Sequence, residues 1–285
     1  HPTVNDCVVV GNSSLRLLIF QSNRIQEIAR YDHPRPIIYA CITYDDGNPQ
    51  ICFISGSEIF FLLPKSNDFQ ILQSIHLDQK FSYVISNLQY ICLYSHDNPS
   101  ITLFDRKSNQ FKSFDLEKQP IVWCCAFLNQ FLLVLEYKNV FQIKIYQVND
   151  IENINLISTH RTNVSSPYKF VSVPTHNSVY LLCNNKIIHI KHQNSSISPK
   201  ANIQALLLNG WSFNEFKVGI HDFDPLIIDA APCGVRLFIL TEGGRVFRFD
   251  GKIFEPVVLI NAATNISSIT ISSYLVTVES SRLQL

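Results

Sequence analysis

The chain has 285 residues, of which 46% are hydrophobic and 16% are charged. This composition provides a substantial core and excludes an intrinsically disordered chain. The 23 basic and 23 acidic side chains balance, which argues against nucleic-acid binding, because proteins of that class usually carry a basic surface. No apolar stretch approaches the roughly 20 residues that span a bilayer as a helix, so we expect no membrane span.

Short apolar runs recur along the chain in groups of three or four. The first group contains CVVV, LRLLIF and RIQEI, and the second contains IIYACI, QICFI, EIFFLL and FQILQSIHL. The runs are rich in Val, Ile, Tyr and Phe, which is typical of β-strands. Tight polar turns join the second and third runs of each group, with residue types that accept positive φ. No segment has the period and length of a helix.

Seven such groups follow one another. Their second runs begin about 35 to 60 residues apart, which is the range of propeller blades. The approximate bounds of the seven units are 6–33, 37–77, 81–117, 120–160, 168–226, 227–261 and 266–285. The sequence therefore predicts a single all-β domain, a seven-bladed β-propeller with three to four antiparallel strands in each blade. A β-sandwich followed by a small β-domain is the alternative, but no linker divides the chain.

Two units depart from the others. The fifth contains an extra stretch, Ser198–Pro225, with four aromatic residues among polar ones: Trp211, Phe213, Phe216 and Phe223. One interpretation is a fourth strand, IQALLL, followed by a loop that packs its aromatic side chains on the propeller. The other is a partner-binding protrusion, because exposed aromatic residues supply binding hot spots. The seventh unit ends within its third run, RLQL, so we expect three strands there or completion by another segment.

Sequence signatures of catalysis or metal binding are missing. The chain has no Gly-rich phosphate loop, no G-x-S-x-G elbow and no H-E-x-x-H pair. We interpret Cys124 and Cys125 as packing residues on opposite faces of a strand. His189 and His192 do not complete a zinc site, and the acidic pairs at 45–46 and 222–224 are expected in solvated turns. We therefore predict no catalytic residue, no metal and no cofactor.

The cysteines and glycosylation motifs favour different locations. Most of the eight cysteines lie inside apolar runs, where a free thiol behaves as a small hydrophobic group, and this favours an intracellular protein with buried thiols. Four Asn-x-Ser/Thr motifs, at Asn12, Asn163, Asn194 and Asn265, fit a secreted protein instead.

Residues 227–251, IIDAAPCGVRLFILTEGGRVFRFDG, resemble a repeat of the regulator of chromosome condensation family. The matching positions are Cys233–Gly234, Thr241–Glu242, Gly244–Phe247 and Gly251, with Phe249 at the expected aromatic position and, in the fifth unit, His176 near a position where that family often has histidine. The resemblance implies a seven-bladed propeller and guanine-nucleotide exchange on a small GTPase. A divergent WD-repeat propeller is the competing assignment, but no recurring GH and WD pair is present.

These observations together predict a non-enzymatic scaffold that binds one or more proteins, as a subunit of a larger complex. A propeller offers wide rigid faces with variable loops and needs no chemistry of its own for this role. Two alternatives remain: an exchange factor for a small GTPase, which follows from the resemblance alone, and a secreted, glycosylated binding module.

Overall fold

In the described part of the computed structural model, the regular structure is entirely β-strand. The described residues are 6–21, 24–45, 48–65, 68–87, 89–96, 98–116, 119, 121–127, 130–137, 140–162, 167, 169–173, 178–192, 210–217, 226–233, 236–242, 245–259, 266–271 and 276–280. Within these ranges no helix is long and apolar enough to cross a membrane.

The described residues contain 25 strands, which form seven sheets. The first eleven are β1 (Asp6–Val10), β2 (Ser14–Gln21), β3 (Arg24–Asp32), β4 (Tyr39–Asp45), β5 (Asn48–Ser55), β6 (Glu58–Pro64), β7 (Phe69–His76), β8 (Tyr83–Ser86), β9 (Tyr90–Tyr94), β10 (Ser100–Asp105) and β11 (Gln110–Asp115). The next eight are β12 (Ile121–Phe127), β13 (Gln130–Tyr137), β14 (Val140–Asp150), β15 (Asn153–Thr162), β16 (Lys169–Val173), β17 (Ser178–Leu182), β18 (Lys186–His192) and β19 (Trp211–Lys217). The last six are β20 (Ile227–Cys233), β21 (Arg236–Thr241), β22 (Arg245–Phe249), β23 (Phe254–Leu259), β24 (Ile266–Ile271) and β25 (Val276–Ser280).

The strands pair with their neighbours in the sequence. Five sheets have four strands in chain order, β4–β7, β8–β11, β12–β15, β16–β19 and β20–β23, while β1–β3 form a three-stranded sheet and β24–β25 a two-stranded one. Pairing is antiparallel: in β5 and β6, for example, Ile51 lies opposite Leu62 and Ser55 opposite Glu58. The prediction of an all-β chain built from repeated antiparallel sheets is therefore confirmed.

The chain divides into two compact units. The first comprises residues 1–121, 128–131 and 147–155, and the second comprises residues 122–127, 132–146 and 156–285. The first unit contains the sheets β1–β3, β4–β7 and β8–β11, and the second contains β16–β19, β20–β23 and β24–β25. The sheet β12–β15 supplies residues to both.

In the first unit, the middle strands carry core residues on both faces. Successive side chains of a strand point to opposite sides of the sheet. Accordingly, Cys52 and Ile54 of β5 pack in one cluster with residues of β8–β11, whereas Ile51 and Phe53 pack in another with residues of β2. Strands buried on both faces read as continuous apolar runs, which explains sequences such as YICLY in β9, where all five residues are buried.

The fourth strand of the fifth sheet differs from the expected one. The run IQALLL lies outside the described residues, and the strand that pairs with β18 is β19, Trp211–Lys217, in the segment expected to be a loop. Its sequence, WSFNEFK, alternates aromatic and polar residues at the start, which is the period of two that a strand requires. The run RLQL of the last unit also lies outside the described residues.

Candidate functional site

Three of the four aromatic residues predicted to bind a partner lie on β19. Trp211 and Phe213 point to one face of the β16–β19 sheet and Phe216 points to the other, and all three are half-buried. Phe223 lies outside the described residues. Binding of a partner through these side chains stays a prediction, but their packing can be described.

Trp211 packs against the core of the second unit. Its ring meets the rings of Phe127 and His192 edge-on, with centroids 5.7 Å and 5.0 Å away. The indole Nε1 is buried and finds no acceptor among the described residues. Such an unsatisfied donor costs about 1–3 kcal/mol, so the apolar contacts of the ring must offset it.

Phe213 and Phe216 contact different neighbours. Phe213 stacks face to face on the imidazole of His160 in β15, with centroids 4.3 Å apart, and burial there lowers the pKa of His160. Phe216 meets Phe249 of β22 edge-on at 5.0 Å. The two faces of β19 thus pack against two neighbouring sheets.

A second surface, which the sequence did not indicate, lies in the first unit where β7 adjoins the sheet β8–β11. We call it the β7 groove. It consists of two cavities of about 300 Å³ each. The first is lined by Gln50, Phe61, Leu72, Gln73, Phe104, Arg106 and Asn109. The second is lined by His76, Leu77, Asp78, Gln79, Phe81, Thr102, Phe111 and Ser113.

The turn between β10 and β11 places Arg106 in the first cavity. Asp105 stabilises the turn, because its carboxylate accepts hydrogen bonds from the backbone N–H of Lys107 (3.1 Å) and the hydroxyl of Ser108 (2.8 Å). Asn109 ends it with φ of 56°, a left-handed conformation that Asn tolerates better than most residues. The turn is thereby fixed by its own side chains.

Arg106 reaches from this turn to the sheet β4–β7. Its guanidinium donates hydrogen bonds to Oγ1 of Thr43 (2.9 Å) and to Oε1 of Gln50 (2.8 Å). Its Cζ also lies 5.8 Å from the centre of the Phe61 ring, within the range of a cation–π contact. Arg106 therefore places a fixed positive charge in the first cavity, beside the ring of Phe61.

A row of phenylalanine rings runs from the core to the surface of the groove. Phe61 and Phe104 are buried with ring centroids 6.0 Å apart, and Phe111 lies 4.7 Å from Phe104. Phe111 is 38% exposed. In the second cavity the hydroxyls of Thr102 and Ser113 are hydrogen-bonded at 2.8 Å. The groove thus combines aromatic rings with polar and charged side chains, among them Arg106 in the first cavity and Asp78 in the second, which is a combination typical of binding sites.

Strand β7 forms the exposed side of the groove. Ile71 is 49% exposed and Leu72 is 42% exposed. Leu72 is the extra residue of a β-bulge, because Gln73 lies opposite Phe61 and Ile71 lies opposite Leu62. Bulges redirect side chains and are frequent next to functional sites.

The remaining candidates take part in packing. Cys124 and Cys125 are both buried in β12, and burial raises the pKa of Cys125 to about 12, so this thiol is protonated and unreactive at neutral pH. His189 is buried, its Nε2 lies 2.9 Å from the hydroxyl of Ser178, and its ring stacks on Tyr180. In the part of the chain that the structure describes, no group of three His, Cys, Asp or Glu residues is arranged to hold a metal.

We find no model of a known protein family that matches the chain and no curated protein that is significantly similar to it. Function is therefore inferred from the fold and the surface.

Proposed function

We propose that the chain is a seven-bladed β-propeller that acts inside the cell as a non-enzymatic scaffold for protein–protein interaction, as a subunit of a larger complex. The propeller is supported by the succession of seven sheets among the described residues, five of them with four strands in chain order. Inside each unit neighbouring sheets stack through shared apolar clusters, as the blades of a propeller do.

The family resemblance supports the fold more than an activity. Thr241, whose hydroxyl donates to the backbone carbonyl of Arg245 at 3.2 Å, stabilises the turn between β21 and β22. Phe249 is completely buried. Gly251 has φ of 96°, a conformation that residues with a Cβ rarely adopt. These three residues serve the turns and the core of the sheet β20–β23, which is a structural role independent of any activity.

The observation that carries the scaffold role is the exposure of β7 beside the two cavities. Ile71 and Leu72 place apolar side chains in solvent on an outer strand, and Phe111 exposes part of its ring at the second cavity. Exposed apolar groups rimmed by polar residues mark interaction sites. An intracellular location is supported by the free thiols of Cys41, Cys52, Cys92, Cys124, Cys125 and Cys183, the form expected in a reducing compartment.

The fold can be tested by small-angle X-ray scattering. A single compact particle of 285 residues should have a radius of gyration of about 19 Å. A ring should also give one broad maximum in the distance distribution. Two resolved maxima, as expected for separate lobes, would overturn the propeller.

The scaffold role can be tested on the chain expressed with an affinity tag at its native level. After chemical crosslinking in cells, we expect it to run far above its own 32.6 kDa and to contain partner proteins in fixed stoichiometry. A chain that stays monomeric under these conditions contradicts the proposal. Nucleotide release from a panel of small GTPases should stay at its intrinsic rate, and acceleration would identify the exchange factor that the resemblance implies.

A further inference from the structure

The exposed edge of β7 has unused hydrogen-bonding capacity. Among the described residues β7 pairs with β6 alone, at the end of the order β4-β5-β6-β7. The other edge of such a strand presents alternating backbone N–H and C=O groups, and an extended chain is the ligand that matches them.

β7 also lacks the features that protect outer strands. Its sequence, FQILQSIH, contains no Asp, Glu, Lys, Arg or Pro. The fourth strands of the other four-stranded sheets carry such residues: Lys112 and Asp115 in β11, Arg161 in β15, Glu215 and Lys217 in β19, and Glu255 and Pro256 in β23. Charges and prolines at an edge oppose the addition of a further strand. Their absence from β7 distinguishes it from the fourth strands of the other four sheets.

The bulge limits where a strand can be added. Because Leu72 interrupts the regular pairing of β7, the straight part of the edge that adjoins both cavities is Gln73–His76. Gln73 lines the first cavity and His76 lines the second. A segment that pairs with Gln73–His76 therefore passes both cavities and can place a side chain at each.

The surface also restricts the chemistry of that segment. Burying a charge beside Leu72 and the uncharged side chains of β7 is unfavourable without a partner for the charge, and Arg106 in the first cavity already donates hydrogen bonds to Thr43 and Gln50. Apolar side chains fit beside Phe61, Phe104 and Phe111, which line the cavities together with polar residues. The matching ligand is thus an extended, uncharged segment with apolar residues at alternate positions.

We propose that β7 receives such a segment of a partner protein as a fifth strand of the sheet β4–β7, paired along Gln73–His76. This inference rests on the proposed scaffold role and specifies where one partner binds. The segment contributes main-chain hydrogen bonds for affinity and one or two apolar side chains for specificity.

The first experiment selects ligands from a phage-displayed library of random dodecapeptides on the purified full chain. We expect uncharged peptides with alternating apolar residues. Their affinity should fall about tenfold or more in the Leu72→Asp variant, because the new carboxylate would lie at the edge and beside the first cavity. Peptides that bind Leu72→Asp as tightly as the unchanged chain would overturn the proposal.

The chain offers a matched control, Val257→Asp. Val257 is the extra residue of the bulge in β23, since Val258 lies opposite Val246 and Pro256 opposite Phe247. It is 45% exposed, close to the value for Leu72. This variant should keep full peptide affinity. If Leu72→Asp lowers the melting temperature, Gln73→Lys replaces it, since that residue is exposed and lies on the same edge.

The second experiment tests the binding mode. Each residue of a selected peptide is N-methylated in turn, which removes one backbone donor. A strand uses every second N–H for pairing on one side, so affinity should fall at alternate positions. An even profile, or one with a period of three to four residues, would overturn strand addition.

The outcomes separate this inference from the scaffold role. The inference fails if no peptide is enriched. It also fails if the unchanged chain forms a concentration-dependent dimer that Leu72→Asp abolishes, because a second copy of the chain would then occupy the edge. A crosslinked complex with other proteins would still support the scaffold in both cases. A chain that is monomeric in cells contradicts the scaffold role itself.

Discussion

Strands β7 and β19 hold the same position in two sheets, as the fourth and outermost strand, yet they differ in exposure. β19 carries Trp211 and two phenylalanines, and all three are half-buried against neighbouring sheets. β7 carries Gln, Ile and Leu, and most of its residues are exposed. Aromatic content, which marks binding hot spots once a surface is known, did not indicate which of the two strands faces solvent.

The largest effect of a substitution is expected on β19. Replacing both Trp211 and Phe213 by Ala should lower the free energy of unfolding by about 3–5 kcal/mol, because two packed rings leave cavities. Denaturant titration measures the change, and Asn214→Ala, an exposed change on the same strand, should have almost no effect. Weaker binding of a partner with an unchanged melting temperature would instead identify these residues as the predicted partner-binding site.

A second prediction concerns pH and the strand beside β19. Burial, with a smaller contribution from the charge of Lys191, lowers the pKa of His189 from 6.5 to about 4. The unfolded chain then binds more protons than the folded chain between these values, so stability is complete above pH 6.5 and falls as the pH decreases towards 4. The loss attributable to His189 should approach about 3 kcal/mol.

Thermal unfolding between pH 7 and 4 measures this effect. The pKa values of His33 and His160 are lowered by burial as well. The contribution of His189 is therefore the difference between the unchanged chain and His189→Gln in how steeply the melting temperature falls with decreasing pH. Equal slopes in the two proteins would contradict the assignment.

A third and smaller effect is expected in the groove. Arg106→Met should lower the free energy of unfolding by about 1–2 kcal/mol, because the hydrogen bonds to Thr43 and Gln50, both buried, are lost. Lys107→Met, at the exposed neighbouring position in the same turn, is the control and should be neutral. A neutral Arg106→Met would show that other groups satisfy these two side chains.

The smallest effect is predicted for β7. Replacing Ile71 or Leu72 by Ala should change the free energy of unfolding by less than about 0.5 kcal/mol, since exposed side chains contribute little. A loss comparable to that expected for β19 would mean that these side chains are buried, and the contrast between the two strands would disappear.

The sequence predicted the middle strands well and the edges poorly. Runs such as YICLY and SVYLL are buried on both faces, so their strand character is visible without knowledge of their neighbours. In the fifth unit the run IQALLL is more hydrophobic than WSFNEFK and is therefore predicted as the fourth strand, although WSFNEFK alternates aromatic and polar residues at its start.

The β7 groove could not be predicted from the sequence, for physical reasons. Arg106 and its acceptor Thr43 are 63 residues apart, and nothing in either local sequence indicates the pair. The exposure of Leu72 depends on a bulge that interrupts the period of two. By contrast, the interpretation of Cys124 and Cys125 as packing residues needed only their apolar surroundings.

The bulge at Leu72 also bears on how this strand can change in evolution. A deletion within a strand normally turns every following side chain to the opposite face. Deleting Leu72 would instead leave Ile71 opposite Leu62 and Gln73 opposite Phe61, now as consecutive pairs. At this position the chain can lose one residue while the rest of β7 keeps its orientation, so the edge can be shortened there without loss of the fold.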